Sequence, residues 1–425
     1  MFDRRIVEDY FIRKAEEIKN EKLIERDIKI DLIKGKAISV VGPRRAGKTS
    51  LLKLVSKQNE EYFFIDFEHV AFLRIEPEEI FKLISIYSEI FSKEPKILFL
   101  DEIQNLKNWE SVVRSLLDSG YLPIISGSSS KLLSGEIATQ LRGRSLTYYV
   151  FPFSFREFLK LKDMEIKKHL TLEQEGKIKG LLRNYILSTS YPEILITGNY
   201  KLLSEYYNSI FYRDFVERFK LKSFEVAKFI FNFFLQNFSR EISINKIVNF
   251  LKSQGLRFGK NTVYEYVEKL PETLNVFLVE KLERSVYRSW PKKAYICDLG
   301  LVNITKTFDE EFGRRVENIV FLELMRKKNI SPLLEIYYLK INNKEIDFVV
   351  KEGLRIRELI QVTYASSKDE IKEDAKSLSK AFELFKKDKP ELIIITWDYE
   401  DVLREDYKEI KCIPLWKWLL DLEEK

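Results

Sequence analysis

The chain has 425 residues, too many for one ordinary core, so two to four domains are expected. Apolar residues make up 45%, which excludes wholesale disorder, and 72 Lys and Arg against 66 Asp and Glu leave a net charge of +6, which permits nucleic-acid contact without arguing for it. The only cysteines, Cys297 and Cys412, and the only histidines, His69 and His169, exclude a zinc site built from these residue types and a Ser-His-Asp or Cys-His mechanism.

The first residues, MFDRRIVEDYFIRK, are charged throughout and are no signal peptide. No apolar run approaches the length of a membrane span, so a cytoplasmic protein without membrane contact is expected. Scarce Gly, with Lys, Glu and Ile dominant, suits a thermophile or an AT-rich genome.

Residues 1–34 place charged and apolar side chains at helical spacing and predict leading helices. Buried strands are predicted at 36–42, 61–68, 96–102 and 122–128, with helices at 50–57, 77–91 and 109–120 between them. Alternation of this kind makes a parallel sheet covered on both faces, with 146–153 as a fifth strand. After Pro152 the pattern turns helical to about Arg240, with aromatics at three- and four-residue spacing, as in a lid or linker. Ser243 then caps a helix closed by Gly255. A second helix, NTVYEYVEKL, and strands NVFLVEKL and AYICDLG follow, the order of a winged helix-turn-helix. From Glu311 onward a helix, three strands, a helix and a strand predict a small α/β domain. The expected boundaries are 1–155, 156–235, 236–305 and 306–425.

GPRRAGKT at 42–49 fits the spacing G-x-x-x-x-G-K-[ST] between a buried strand and a helix. Gly42, Pro43, Arg44, Arg45, Ala46, Gly47, Lys48, Thr49 and Ser50 form the expected phosphate loop. Its glycines and small Ala46 let main-chain N–H groups wrap a phosphate, and the helix that follows offers its positive end. Lys48 sets a cation against the β- and γ-phosphates, and the Thr49 hydroxyl is a hard oxygen for Mg²⁺. Arg44 and Arg45 either help neutralise phosphate or face solvent.

KILFLDE ends a buried strand on two acids. Asp101 is expected to hold Mg²⁺, and Glu102 to orient and polarise the attacking water. ISGSSSK offers Ser126 and Ser128 near the γ-phosphate. LRGR at 141–144 offers Arg142 and Arg144, either as γ-phosphate sensors, as fingers on a neighbouring subunit, or as plain surface arginines. The expected cofactors are therefore ATP and Mg²⁺.

In the winged-helix segment, Lys260, Asn261, Thr262, Tyr264 and Lys269 lie on the second helix. Arg284, Tyr287, Arg288, Lys292 and Lys293 lie on the expected wing. Cations with aromatics there suit duplex DNA, with Lys260, Arg288, Lys292 and Lys293 as phosphate contacts, while Glu265 and Glu268 oppose it. A protein partner or a homo-oligomer is the other use of such a module.

The runs GPRRAGKTSLL, FLDEIQNLKNWESVVRSLLDSG and ISGSSSKLLSGEIATQLRGRSLTYYVFPFSFREFL resemble the AAA-type ATPases of archaea and bacteria that carry a C-terminal domain of unknown function. The resemblance continues through YPEIL, FYRDFVERF, KKAYICDLGL, RRVENIVFLELMR, EIDFVV and LIQVTY. It implies an AAA+ core, a winged helix and a C-terminal fold similar to PD-(D/E)XK nucleases. In that fold, Glu317 or Glu323 is the candidate helical acid and Asp347 the strand acid. Gln361 and Thr363 stand where a carboxylate and a lysine belong, which argues against cleavage unless Lys344 or Lys368 substitutes. Three functions stay open: a DNA-associated ATPase, a nucleotide-dependent switch acting on proteins, and an ATP-gated nuclease.

Overall fold

Short apolar runs become parallel strands where both sheet faces are covered, and the first part of the chain follows that rule. The computed structural model describes residues 2–127, 141, 143–167, 169–283, 290–305, 312–341 and 344–422. The chain divides into two units, Met1–Pro152 and Phe153–Lys425.

The first unit runs α1 (Arg4–Asn20), β1 (Ala37–Val41), α2 (Lys48–Lys57), β2 (Tyr62–Asp66), α3 (Ile80–Phe91), β3 (Ile97–Asp101), α4 (Trp109–Asp118), β4 (Leu122–Gly127) and β5 (Ser145–Tyr149). All strand pairs are parallel, in the order β2-β3-β4-β1-β5. Side chains alternate between two cores. Phe63, Ile65, Leu98 and Leu100 pack with Phe11, Leu83 and Val113, while Ile38, Val40, Phe64 and Phe99 pack with Leu51 and Leu52. Charge joins α1 to α2, since Lys53 on α2 bridges Glu17 and Glu21. The parallel α/β core expected from the alternation is present, fifth strand included. Because every strand runs the same way, the ends of β1, β3 and β4 share one edge, where ligands of such sheets bind.

The second unit begins with helices α5 (Phe155–Leu161), α6 (Leu172–Leu187), α7 (Pro192–Thr197) and α8 (Leu202–Ser209), then a π-helical stretch Ile210–Glu217 and α9 (Phe224–Gln236). There follow β6 (Arg240–Ile242), α10 (Ile244–Ser253), α11 (Lys260–Lys269), β7 (Val276–Lys281) and β8 (Lys292–Ile296). The remainder is α12 (Phe312–Lys327), β9 (Leu334–Ile341), β10 (Lys344–Glu352), β11 (Arg355–Val362), α13 (Lys372–Leu384), β12 (Glu391–Thr396), β13 (Asp401–Glu405), β14 (Lys408–Pro414) and α14 (Leu415–Leu420). Ser243 caps α10, its side chain accepting from the Lys246 N–H, as its place before the helix implied.

The strands of this unit form one sheet, β13-β14-β12-β11-β10-β9-β7-β8-β6. Its middle joint is the parallel pairing of β7 with β9, where Glu280 meets Tyr337. The boundary expected between 305 and 306 therefore falls within a single sheet. A buried acid ties the helical part to this sheet. Asp298 accepts from the Thr189 hydroxyl and the Gly300 N–H with one oxygen, and from the Ser190 N–H and hydroxyl with the other. Burial pushes its carboxyl above the ordinary range and those donors pull it back. A Cβ on Gly300 would strike Thr189 and Asp298 itself, so the D-L-G run is required by this knot. Among the described residues no helix is long and apolar enough to cross a membrane.

Candidate nucleotide-binding site

The chain leaves β1 at Val41 and turns at once into the glycine loop. Gly42 passes so close to β5 that a Cβ would overlap the carbonyl oxygen of Val150. Arg45 (φ 67°) and Gly47 (φ 93°) take left-handed backbone, which turns successive peptides the same way before α2 starts at Lys48. Lys48 is buried, and its ammonium crosses the loop, donating to the carbonyls of Gly42 and Pro43 at 3.2 and 3.1 Å. A side chain from outside the motif braces the loop. Arg26 donates to the carbonyls of Ala46 at 2.9 Å and Phe151 at 2.6 Å. Nothing in the charged, aperiodic segment around Arg26 signals that role.

β4 lies between β1 and β3, so the acid at the end of β3 must reach across it. It does so through hydroxyls. Thr49 Oγ1 donates to Asp101 Oδ2 at 2.6 Å, and Ser126 Oγ donates to Asp101 Oδ1. Ser126 Oγ also accepts the Glu102 N–H at 3.2 Å, fixing the next peptide. Asp101 is 1% exposed, and burial pushes its carboxyl up to about 6 against the pull of both hydroxyls, with Glu102 and Asp66 adding repulsion. Asp66, the register partner of Asp101 on β2, is a further acid that the motif spacing does not reveal. A desolvated acid beside a threonine hydroxyl, both hard oxygens, fits Mg²⁺ by its donor chemistry.

Glu102 follows in left-handed backbone (φ 50°), uncommon for a residue with a side chain, and its carboxylate accepts from the Gln104 side-chain amide. That conformation turns Glu102 off the strand axis at the sheet edge.

Residues 34–159 match the AAA domain family. An uncharacterized protein of Methanocaldococcus jannaschii is 36% identical over 431 residues, covering 99% of this chain and 96% of its own length. The chain belongs to the same family as that protein. An uncharacterized Haemophilus influenzae protein is 28% identical over 400 residues, spanning 90% of this chain and 93% of its own. Among solved structures, the Aeropyrum pernix Orc1 protein in complex with DNA covers 71% of this chain and 92% of that one. It does so at 11% identity and a TM-score of 0.27, too loose to transfer anything.

Ser128 and Arg142 lie outside the described residues. Arg144 is a correction to the expected sensor role within one chain. It precedes β5, whose first residue pairs with Ala37 at the start of β1, so it sits at the opposite edge of the sheet. Five residues of strand separate those edges, about 16 Å. Arg144 instead pairs with Asp118 at 2.7 Å. Arg44 faces Glu68 at 3.8 Å, and Arg45 is exposed.

In the second unit, Lys293 is a second correction. It was expected on a DNA-contacting wing, but it is 2% exposed and bridges Glu317, Glu345 and Asp347. Successive strand residues point to opposite faces, so Lys292 alone keeps an outward position, where it pairs with Glu280. Arg284, Tyr287 and Arg288 lie outside the described residues. Of the two candidate helical acids, Glu317 joins Asp347 through Lys293, whereas Glu323 pairs with Arg156 and Arg326. Lys344 pairs with Glu373.

Gly42→Ala is expected to destabilise the first unit by roughly 3 kcal/mol, because the methyl meets backbone that cannot move aside. Gly180→Ala, in α6 with open space around it, is expected to gain about 0.5–1 kcal/mol. Urea unfolding of the two variants separates a steric demand at Gly42 from a generic glycine effect.

Proposed function

We propose that this chain binds ATP with Mg²⁺ on residues 42–50, hydrolyses it with Glu102 polarising the attacking water, and uses the cycle to act on duplex DNA. The observation that carries the reading is the junction of three elements at one acid, with Thr49 from the loop helix and Ser126 from β4 both donating to Asp101. Lys48 at the start of α2 supplies the positive charge for the phosphates, and loop amides supply the cradle. Mg²⁺, when bound, would be held by Thr49 and Asp101 and would neutralise phosphate charge. In this proposal residues 1–155 are the ATPase core and 156–235 a lid. Residues 236–305 are a winged helix, and 306–425 a nuclease-like domain that does not cut. Arg142 and Arg144 serve toward a neighbouring copy.

What supports the DNA-facing part is the order α9-β6-α10-α11-β7-β8, with β8 between β6 and β7 in the sheet. A helix-turn-helix followed by a hairpin in this order supports the winged-helix reading. Lys260 and Asn261 are exposed at the start of α11. One observation favours a protein partner instead. Glu265 and Glu268 are exposed on the same helix, and Lys269 is engaged by Glu265.

The deciding experiment is ATP turnover with and without duplex DNA, on wild type and Lys260→Glu. DNA-stimulated turnover that weakens in the variant and at high salt is expected. Turnover indifferent to DNA in both proteins would move the reading to a protein-directed switch.

A further inference from the structure

The second unit contains a buried cluster that ATP hydrolysis does not use. Glu345 and Asp347, two apart on β10, present their carboxylates on one face, and Glu317 comes in from α12. Their oxygens converge on the Lys293 ammonium: Glu345 Oε1 at 2.5 Å, Glu317 Oε1 at 2.7 Å and Asp347 Oδ1 at 2.9 Å. An ammonium carries three protons, and this one faces three carboxyl groups.

The acids are themselves held from behind. The Tyr295 hydroxyl donates to Glu317 Oε1 at 2.7 Å, and the Val362 N–H donates to Asp347 Oδ2 at 2.9 Å. On the neighbouring strand, the register that pairs Phe348 with Ile360 sets Gln361 abreast of Asp347. The Gln361 side-chain oxygen is shielded from solvent and takes no hydrogen bond. The cluster is thus three carboxyl groups around a single positive atom, two of them anchored from behind, with an unbonded amide oxygen abreast of Asp347. Calcium binds such oxygens at about 2.3–2.6 Å, within a few tenths of an ångström of the distances observed to nitrogen.

We propose that Lys293 is a tethered cation standing in a divalent-metal position formed by Glu317, Glu345 and Asp347, so that the native unit takes no metal there and removal of the lysine opens the position. The exchange has a mechanical result. A free ion would join only α12 and β10, whereas the lysine also fastens β8 to them. The β7-β8 hairpin is then pinned to the C-terminal strands by charge as well as by the β7-β9 pairing. This proposal stands on the cluster alone and is independent of the nucleotide reading.

The test uses the full chain without nucleotide, titrated with Ca²⁺ by calorimetry and with Tb³⁺, whose luminescence Tyr295 can sensitise. Wild type is expected to give no signal from the cluster. Lys293→Ser is expected to bind one Ca²⁺, at least tenfold tighter than any wild-type site, and to lose it when Asp347→Asn is added. Wild-type binding that Asp347→Asn removes would overturn the proposal, as would a folded Lys293→Ser protein with no gain. Should Lys293→Ser not fold, Lys293→Ser with Glu345→Gln relieves one charge and keeps two carboxylates. A Ca²⁺-dependent rise in its unfolding midpoint is then expected, and failure of Ca²⁺ to raise it or to restore folding also overturns the proposal.

Discussion

Glu102→Gln is expected to keep ATP bound and to lower turnover on the order of a thousandfold. Glutamine preserves the size of the side chain and an oxygen for the Gln104 amide, so the left-handed backbone at this position has no new reason to relax. Only the capacity to take a proton from water is lost. The Thr49–Asp101–Ser126 junction does not pass through the Glu102 side chain, since Ser126 holds its main-chain N–H. Nucleotide affinity should therefore be unchanged, as equilibrium binding of a fluorescent ATP analogue against steady-state phosphate release would show. Lys48→Ala is the contrast, because it removes the charge that meets the phosphates and should weaken binding itself. If Glu102→Gln turned over ATP at the native rate, the attacking water would have to be oriented by another group, and Asp66 is the nearest acid by register.

The legibility of this chain divides by distance along the sequence. The phosphate loop is local, since nine consecutive residues contain the glycine turns, the cation and the hydroxyl, and the flanking apolar run supplies the strand. Asp101, Glu102 and Ser126 were equally readable, because each closes an apolar run and parallel strands bring such ends to one edge. What failed was non-local. Lys293 looks like half of a basic pair on a wing, and its partners stand 24, 52 and 54 residues away at Glu317, Glu345 and Asp347. The alternation of a strand offered one warning, since Lys292 and Lys293 cannot both face outward. The union of the hairpin with the C-terminal strands depends on two residue pairs between β7 and β9, which leave no mark on either sequence. β6 is three residues long and β13 is mostly charged, so neither has a period to detect. Arg144 is ambiguous in sequence for a different reason. It follows the loop in sequence, but β5 runs parallel to β1, so the chain must return to the far edge before entering it.

Lys293→Met is expected to destabilise the second unit by about 3–5 kcal/mol, because it leaves buried carboxylates without their counter-charge. For a unit of this size that is roughly a 10 °C fall in its unfolding midpoint. The loss should depend on pH in a direction set by Glu317. Burial pushes its carboxyl up to about 8 from an ordinary 4.5, with Lys293 pulling it down and Asp347 pushing it up. Between those values the folded unit holds a proton that the unfolded chain has released. Stability from this group is complete below 4.5 and declines as pH rises through 8. Removing Lys293 takes away the pull, so the folded carboxyl titrates higher still and the decline continues beyond pH 8. The other groups facing the cluster act in the same sense or are already engaged. Asp374, pushed up to about 6 by burial and by Asp347, also prefers acid, and Lys340 is held by Glu241 and Glu345. The variant should therefore show its smaller deficit near pH 7 and fall furthest behind wild type near pH 9.5. Adding Asp347→Asn to Lys293→Met should recover part of the deficit by removing one unpaired charge, a coupling that a double-mutant cycle measures directly. A deficit that is the same at both pH values, and additive with Asp347→Asn, would mean that the lysine stem fills space and that its charge does not balance the acids.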